Sequence, residues 1–579
     1  MKRTNLRGGS PRRPCLPSGG SVPGLPGALS SSVLPDPRTR PNTNAPIGVL
    51  SLGILRQVAV SGFLRHSPEA QGPTSDATAS AAAELRIAFA TPELASLVRR
   101  TSLAEVAESL PRTLRQEGAD VRVFLPWTMG LDASPLQSLR EVGTVRVKDG
   151  TTKAEVTIHA ANLGDLPIYL IDHPTLFRSR HPYGDEEGPY ADNWRRYAVF
   201  CRAVLESLPL IQFSPDVIHG LDWTTGLIPV IRELEYATKQ PNHPASNAGT
   251  FFSVHNLAMQ GAFEREILPQ IGLPHRVFTA VHGVELGGKV NYLKAGAEFA
   301  TIVGTSSPGN VLRVQQNERG AGLVETFRRR AKELVGISNG IDYKAWDPAN
   351  DPLLPQPFSL KDKELLGKKK CKASLQEKLG LDNGARIMVA AVIGRLDADS
   401  GFDVLAEVLT SILERNIEVV LLGNGKLEVL ERVRTVEQTF TGRCRLIDAL
   451  HPSAAHTLLG GADILISPSH YHSSNQLCAI ALRYGVVPIV YSGAGLDDTV
   501  TDHEKDPKKG TGFTFKAYNG ESLLDGIDAA RKVYKEPADW RTLVGRCMKQ
   551  DFSWQATAAD YLKAYRRVTR RAKTSAVDE

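Results

Sequence analysis

The stretch "LISPSHYHSSNQLCAIALRYG" (residues 465–485) contains the unit that sets the fold. Its first residues form a short apolar strand, and the segment that ends at Gly485 has helical spacing with glycine as its stop. Ligands of parallel α/β sheets bind where such strands end. The loop between strand and helix carries His470 and His472 where a charge-handling enzyme is expected to place an acid. The loop therefore belongs to a working site or to the remains of one.

Alternating strand and helix patterns extend in both directions from this unit. The following strands are predicted in the second half of the chain: 386–396, 417–425, 444–450, 463–469 and 486–492. The first half predicts strands at 84–91, 121–127, 166–173, 215–221 and 250–257, helices at 103–117, 192–207 and 225–236, and an antiparallel excursion at 144–160. Such alternation is typical of parallel sheets covered by helices on both faces. The sequence thus predicts an α/β protein with two doubly wound domains that face each other across a cleft.

Composition excludes several functional classes. The 579 residues exceed what one hydrophobic core supports, and no apolar run is long enough to predict a membrane span. The net charge of +6 arises mainly in the first 68 residues, which hold nine Lys or Arg and one acid, so the remainder gives no indication of nucleic-acid binding. The six cysteines show no metal-binding spacing, which favours a reducing compartment and no structural zinc.

Residues 1–80 are rich in Pro, Gly, Ser and Arg, which is typical of a disordered tail. Two alternatives stay open. An Arg- and Ser-rich, acid-poor segment is also typical of a transit peptide. An over-extended gene start is the third interpretation, and it requires a non-Met initiation codon because no Met lies between Met1 and Met129. The expected location is the cytoplasm, or a plastid if the tail is a transit peptide.

Polar residues and glycines recur at the predicted strand ends of both halves. The candidates are His219, Asp222, His255, Asn256, Asn339, Gly340, Arg395, Ser400, Gly493 and Gly495. Ser400 is a candidate helix N-cap, and the glycine turn at 493–495 is expected to open a helix whose free N–H groups suit an anion. Each residue alone also fits a structural role, and His470 with His472 lacks a third ligand, so no metal site is expected.

In order along the chain, these segments resemble a known family. The matching segments are 172–206, "PDVIHGLDWTTGLIP" (215–229), "FSVHNLAMQGAF" (252–263), "KVNYLKAG" (289–296), "ISNGIDYKAWDPANDP" (337–352), "ALRYGVVPIV" (481–490), "GTGFTF" (510–515) and "FSWQATAADYLKAYRR" (552–567). Over about residues 84–568 the chain resembles the bacterial glycogen synthases and plant starch synthases, retaining glucosyltransferases of the GT-B fold that use ADP-glucose.

The resemblance implies a function and a domain plan. Glucose would pass from ADP-glucose to the non-reducing end of an α-1,4-glucan with retention, with no cofactor and no metal. The partners would be a nucleotide sugar and glycogen or starch, with no nucleic acid and no membrane; oligomeric state is not predicted. Residues 84–335 would form the acceptor side, 336–552 the nucleotide-sugar side, and 553–570 a helix that crosses back to the first domain.

The resemblance also implies roles for individual residues. His255 would contact the transferred glucose, and Asn339 with Gly340 would line the nucleotide cleft. Arg395 would be a diphosphate cation. The turn at Gly493 and Gly495 would receive the glucosyl or phosphate end through backbone N–H groups, and His219, Asp222 and Asn256 would line the glucan side of the cleft.

Departures from the family pattern lie at the chemistry-bearing positions. In the family's K-x-G-G-L loop, Arg99 replaces the lysine as a donor-binding cation, and Thr101 and Ser102 replace the glycines. Ser400 and His472 replace the second cation and the sugar-holding Glu. Loss of one charged transition-state contact costs about 3 kcal/mol. Two alternatives to an active glucosyltransferase therefore stay open. One is a catalytically silent or impaired relative that binds glucan or nucleotide as a scaffold or regulator. The other is a transferase that uses a different nucleotide-sugar donor.

Overall fold

The computed structural model describes residues 84–316, 319–398, 400–448, 452–470, 475–492, 495–496 and 498–575. All of them belong to one of the two units into which the chain divides, Pro46–Glu579. The predicted tail at 1–80 lies outside the described residues. Among those described, no helix is long and apolar enough to cross a membrane.

A nine-stranded sheet organises the first half. Its strands, together with a short pair (β6 and β7) and a small three-stranded sheet (β10, β12 and β11), are β1 (Arg86–Ala90), β2 (Asp120–Pro126), β3 (Gln137–Asp149), β4 (Thr152–Leu163), β5 (Leu166–Asp172), β6 (Gly184–Asp185), β7 (Gly188–Pro189), β8 (Val217–Leu221), β9 (Gly249–Val254), β10 (Ala262–Phe263), β11 (Glu285–Leu286), β12 (Lys289–Asn291), β13 (Ile302–Thr305) and β14 (Leu334–Gly336). The order across the sheet is β14-β13-β9-β8-β1-β2-β5-β4-β3. Only the β3–β4–β5 excursion pairs antiparallel in this sheet, as the turn at 148–151 predicts.

Six helices accompany this sheet: α1 (Leu103–Gln116), α2 (Asn193–Leu210), α3 (Leu227–Ile231), α4 (Tyr292–Phe299), α5 (Pro308–Arg313) and α6 (Val324–Arg329). The central strands β8 and β9 are buried at every residue. Strands covered on both faces lose the polar alternation of an exposed sheet, which is why these two sequences are mostly apolar; His219, Thr250 and Ser253 are buried polar residues within them.

The second half forms a six-stranded, wholly parallel sheet. Its elements are α7 (Leu366–Leu379), β15 (Met388–Ile393), α8 (Phe402–Glu414), β16 (Ile417–Leu422), α9 (Leu427–Thr439), β17 (Cys444–Ile447), α10 (Pro452–Gly461), β18 (Ile464–Ser467), α11 (Gln476–Arg483), β19 (Val487–Tyr491), β20 (Phe513–Phe515), α12 (Gly520–Tyr534), α13 (Pro537–Met548) and α14 (Trp554–Ser575). The order is β17-β16-β15-β18-β19-β20. The predicted α/β class with two doubly wound sheets is confirmed.

Two local predictions are wrong. α8 begins at Phe402 and its N-cap is Gly401 rather than Ser400. Gly401 has φ +79°, and a Cβ there would lie 2.4 Å from the Pro468 carbonyl oxygen, so the position requires glycine. After β19 the described residues form one turn, in which Thr499 and Val500 donate to the Leu496 carbonyl, rather than the helix predicted to open at 493–495.

The last helix, α14, packs against the first sheet although it follows the second in sequence. Trp554, Ala558, Tyr561, Tyr565 and Val568 recur at helical spacing and share a core cluster with β1 and β8. α14 approaches β9 so closely that a Cβ at Gly249 would lie 2.3 Å from Val568 Cγ1. The absence of a side chain at 249 therefore lets this helix reach the sheet.

We expect Gly249→Ala to lower the free energy of unfolding by about 1–3 kcal/mol, because the added methyl overpacks the contact between β9 and α14. Gly545→Ala in α13 is the matched control: a Cβ there meets nothing within 4 Å, so relief of glycine's helix cost should leave stability unchanged or higher. Urea unfolding followed by circular dichroism checks both variants. Equal stability of the two variants would contradict the close approach.

Candidate active site

A narrow cavity of about 40 Å³ lies between the two halves of the described chain. It is lined by Thr101, Ser102, Leu103, Val106, Tyr183, Asp222, Trp223, Thr224, His255, Asn256, Met259, Asn339 and Gln476. Most first-half residues follow β8 or β9 or lie at the start of α1, Tyr183 directly precedes β6, and Gln476 begins α11. The structure thus brings together four of the predicted residues: Asp222, His255, Asn256 and Asn339.

Unpartnered polar atoms line this cavity or lie beside it. His255 Nε2 and Asn339 Oδ1 are buried without a hydrogen-bond partner among the described residues, as are both polar side-chain atoms of Asn475, the N-cap of α11. Burial lowers the pKa of His255 to about 4, so its imidazole is neutral near pH 7. An unmet buried polar atom costs about 1–3 kcal/mol. This cost is recovered when a polar ligand occupies the cavity.

Asp222 lines the cavity and also positions His255. Its carboxylate accepts hydrogen bonds from the backbone N–H groups of His255 at 2.7 Å and Asn256 at 3.3 Å. Burial raises the pKa of Asp222 to about 7, while these two N–H groups act in the opposite direction. The residue has φ +53°, a conformation that non-glycine residues adopt rarely and at a cost. The turn that carries His255 is therefore held by the buried carboxyl group of a residue whose backbone is strained.

Glu93 is a site residue that sequence reasoning missed. Its carboxylate accepts from the N–H groups of Arg100 (2.7 Å) and Thr101 (2.9 Å), the Thr101 hydroxyl (2.6 Å) and the Tyr183 hydroxyl (2.7 Å). Burial raises its pKa despite these donors. Glu93 lies shortly after the end of β1, and Asp222 lies directly after the end of β8. A search for carboxylates after every predicted strand would therefore have found Glu93. Glu93 stabilises the loop on which Thr101 and Ser102 replace the family's glycines.

Arg99 lies on that loop but is not among the residues that line the cavity. Its guanidinium forms an ion pair with Glu105 of α1. Thr101 and Ser102 do line the cavity, with Thr101 fixed by Glu93. The loop therefore contributes Thr101 and Ser102 to the cavity wall, with the Thr101 hydroxyl bonded to Glu93, and the positive charge predicted for donor binding is paired with an acid in this structure.

The structure contradicts the cleft position predicted for His219. This side chain is wholly buried and bonds the Tyr565 hydroxyl and Ser253 Oγ, each at 2.7 Å. Successive residues of a strand face opposite sides of the sheet. His219 shares its side with Val217 and Leu221, which pack with α14. His219 consequently joins the sheet to α14 and is a structural residue.

Of the second-half candidates that the structure describes, Asn339 lines the cavity, whereas Gly340, Arg395, Ser400 and Gly495 do not. Asp397 connects two of them: it forms an ion pair with Arg395 at 2.6 Å and accepts from the Ser400 N–H at 2.9 Å. Gly340 accepts from Gln476 Nε2 at 3.3 Å, and a Cβ there would lie 2.8 Å from Trp554 Cα. The Gly340 carbonyl thus binds a residue that lines the cavity, and the Gly340 backbone packs closely against the start of α14.

Gly495 has φ +106° and faces α5, because a Cβ on it would collide with the Arg313 guanidinium. The Gly309 N–H of α5 also donates to the carboxylate of Asp498, so first-half backbone contacts the turn after β19. Gly493 and His472 lie outside the described residues. His470 is described, and its ring stacks on Tyr491 at 5.6 Å and meets Tyr518 edge-on at 4.7 Å.

Comparison with known proteins gives the family. The profile of the starch synthase catalytic domain matches residues 86–329, and that of glycosyl transferases group 1 matches residues 373–542. A glycogen synthase of Geotalea uraniireducens is 35% identical over 483 residues, which cover 83% of this chain and 98% of that protein. The chain belongs to the glycogen and starch synthase family. A glycogen synthase of Anaeromyxobacter dehalogenans is 36% identical over 83% of this chain and 99% of its own length.

A solved relative supports the same assignment. The catalytic domain of starch synthase IV from Arabidopsis thaliana, bound to ADP and acarbose, is 29% identical to this chain. The two superpose with a TM-score of 0.74 over 84% of this chain and all of that domain. The predicted family, the GT-B fold and the assignment as a glycosyltransferase are therefore confirmed. No group of three His, Cys, Asp or Glu that is able to hold a metal occurs among the described residues.

We expect the stability of the protein to fall when the pH drops below about 6.5, and part of that loss to disappear in His219→Gln. Burial lowers the pKa of His219 well below its usual value, so the unfolded chain binds a proton there that the folded chain does not. Stability from this group is then complete above pH 6.5 and declines as the pH falls towards the folded pKa.

Urea unfolding of wild type and His219→Gln between pH 4.5 and 7.5 measures this difference. Asp222 and His255 are present in both proteins, so their own pH dependence cancels in the comparison. Identical slopes of unfolding free energy against pH would contradict the burial of a neutral His219.

Proposed function

We propose that this protein transfers glucose from ADP-glucose to the 4-hydroxyl of an α-1,4-glucan with retention of configuration. The observation that carries the proposal is the cavity between the two halves. His255 from the first half and Asn339 from the second both line it, and their Nε2 and Oδ1 atoms have no hydrogen-bond partner among the described residues. The Arabidopsis relative, whose structure holds ADP and acarbose, supports a nucleotide and a glucan analogue as ligands of this fold. Residues 84–335 would hold the glucan and residues 336–552 the nucleotide sugar.

The proposed roles follow from charge and geometry. The reaction builds positive charge on the glucose ring and negative charge on the departing diphosphate. His255, neutral because burial lowers its pKa to about 4, offers the glucose hydroxyls a hydrogen bond without adding a charge beside the cationic ring. Asp222 and Glu93 act as positioning residues, since they hold the His255 turn and the 93–103 loop. Preorganised groups of this kind avoid reorganisation during the reaction.

Arg395 is the proposed cation for the diphosphate. It follows β15, and the carboxyl ends of parallel strands are where α/β sheets bind phosphates. Its ion pair with Asp397 would have to give way to the diphosphate, whose charge is greater than that of one carboxylate. The proposal requires no cofactor and no metal. Cytoplasmic location is part of it, supported by five buried, unpaired cysteines among the described residues.

A silent or impaired relative is the second candidate, and the cavity itself favours it. About 40 Å³ is far below the roughly 300–1,000 Å³ of ordinary ligand sites. Thr101 and Ser102 place side chains where the family has glycines, and Glu93 fixes this loop with three hydrogen bonds. Such a protein would bind glucan or nucleotide without efficient transfer.

Incorporation of ADP-[14C]glucose into glycogen tests the transferase proposal. We expect the wild type to incorporate label. The rate of His255→Ala should fall by about a hundredfold or more, because the substitution removes the imidazole that would form a hydrogen bond with the reacting sugar. His275→Ala, at an exposed position away from the cavity, should behave as the wild type. Wild-type incorporation no higher than that of His255→Ala would contradict the proposal, and label from UDP- or GDP-glucose instead would identify another donor.

The double variant Ser400→Lys/His472→Glu separates the two candidates. Restoring one cation and one carboxylate should raise the rate by about tenfold or more, since each charged transition-state contact is worth about 3 kcal/mol. Thr410→Lys/His275→Glu makes the same charge changes at exposed positions and should have no effect. A wild type at background and an active double variant would support the silent relative. A fast wild type that the double variant does not improve would overturn it.

A further inference from the structure

A second and larger cavity, of about 650 Å³, lies in the second half of the chain. We call it the basic cavity; its walls come from α7, α12, α13 and the residues that precede β15 and β18. Because β15 runs from this side towards Arg395, its six residues separate the basic cavity from the cleft by about 20 Å. The Lys-rich stretch at 355–374 supplies part of its lining, and the proposed transferase function gives that stretch no role.

Positive charge dominates the lining. Two carboxylates, Glu364 and Asp463, face six cations: Lys368, Lys369, Lys372, Arg386, Lys535 and Arg541. Lys369 and Arg541 share the single carboxylate of Glu364. Arg386 and Lys535 are exposed and form no ion pair within the described residues. The cavity therefore has an excess of cations that an anionic ligand would neutralise.

Hydrogen bonds of Lys372 connect the residues at the floor of the basic cavity. Lys372 Nζ donates to the Ile387 carbonyl at 2.5 Å, the Asp463 carboxylate at 2.6 Å and the Tyr534 hydroxyl at 2.7 Å. These bonds use all three donors of the ammonium group. Asp463 is thereby neutralised, so it does not repel an anion. The floor is rigid and the free cations stand at the rim.

Lys368 is buried beside this floor. Its ammonium group donates to the Tyr484 carbonyl at 2.8 Å, and no carboxylate lies within ion-pair distance of it among the described residues. Burial lowers its pKa to about 8, with Asp463 opposing the shift. A buried ammonium that only carbonyl groups solvate adds further positive potential to the cavity.

An aromatic wall completes the cavity. Trp540 is partly exposed and meets Tyr534 edge-on at 5.0 Å between ring centres. Trp540 ends the first turn of α13 and Arg541 begins the second; the N-cap of this helix, Glu536, makes no side-chain capping bond. Pro537, the first residue of this 12-residue helix, also lines the cavity, so the positive end of the helix dipole lies near the rim, together with the acidic residue Asp539 of the first turn. A flat ring beside several cations suits a ligand that carries both a ring and an anionic group.

We propose that the basic cavity binds a phosphorylated small molecule, namely a sugar phosphate or a nucleotide. The phosphate would meet Arg386 and Lys535 at the rim, where guanidinium and ammonium groups match its geometry and charge. The ring would lie against Trp540. The volume falls within the range of small-molecule sites, whereas an extended polyanion would need a groove rather than a cavity. The site is separate from the transferase cleft and does not depend on the proposed function.

Thermal-shift and calorimetric titrations of the full-length protein test this proposal. The probes are inorganic phosphate, glucose 6-phosphate and AMP, with glucose and adenosine as uncharged counterparts. We expect the phosphorylated probes to bind and the uncharged ones to fail. Arg386→Glu/Lys535→Glu should weaken that binding at least tenfold, and higher ionic strength should weaken it in the wild type. The tighter of the two organic probes identifies the sugar or the nucleotide as the natural class.

Two controls assign the binding to this cavity. Arg432→Glu/Lys239→Glu changes the net charge equally at exposed positions elsewhere and should bind as the wild type does. Trp540→Leu should weaken the two organic phosphates without affecting inorganic phosphate. Failure of all three phosphorylated probes at 10 mM would overturn the proposal. Equal binding by wild type and Arg386→Glu/Lys535→Glu, or equal binding of the uncharged probes, would overturn it too.

Discussion

The return of α14 to the first sheet is the constraint on which the rest of the structure depends. The chain leaves the second sheet after α13, and α14 then packs against β8 and β9 through Tyr565 and Val568. At its start, Trp554 lies against Gly340, directly beside Asn339 of the cavity. One helix thus fixes both the core of the first sheet and a cleft residue of the second half. Two sheets joined only by a linker would leave the cleft without fixed geometry.

Buried carboxyl groups give the cleft its local order. Glu93 and Asp222 each follow a parallel strand and accept hydrogen bonds from the backbone of the next turn. Burial raises the pKa of both, which shows that backbone donors compensate desolvation only in part. Glu93 stabilises the 93–103 loop through Thr101, which itself lines the cavity, so the altered loop has a fixed conformation within the family fold.

Helix α11 connects the two cavities. Its first residue, Gln476, lines the cleft cavity, and the carbonyl of Tyr484 at its C-terminal end accepts from Lys368 in the basic cavity. This is the helix of the stretch that begins at residue 465 in the sequence. The flanks of that stretch form the predicted strand and helix, and His470 packs with Tyr491 and Tyr518.

The sequence by itself determined the two α/β sheets, the family and the strand ends at which Asp222, His255 and Asn339 lie. Apolar runs, helical spacing and motif order are local properties that can be counted along the chain. Tertiary structure alone decided that His219 binds Tyr565, that Asp397 pairs with Arg395, and that a basic cavity opens at the amino ends of the central strands β15 and β18. These outcomes depend on which side of a strand faces which distant element. Such contacts between remote residues leave no periodic signal in the sequence.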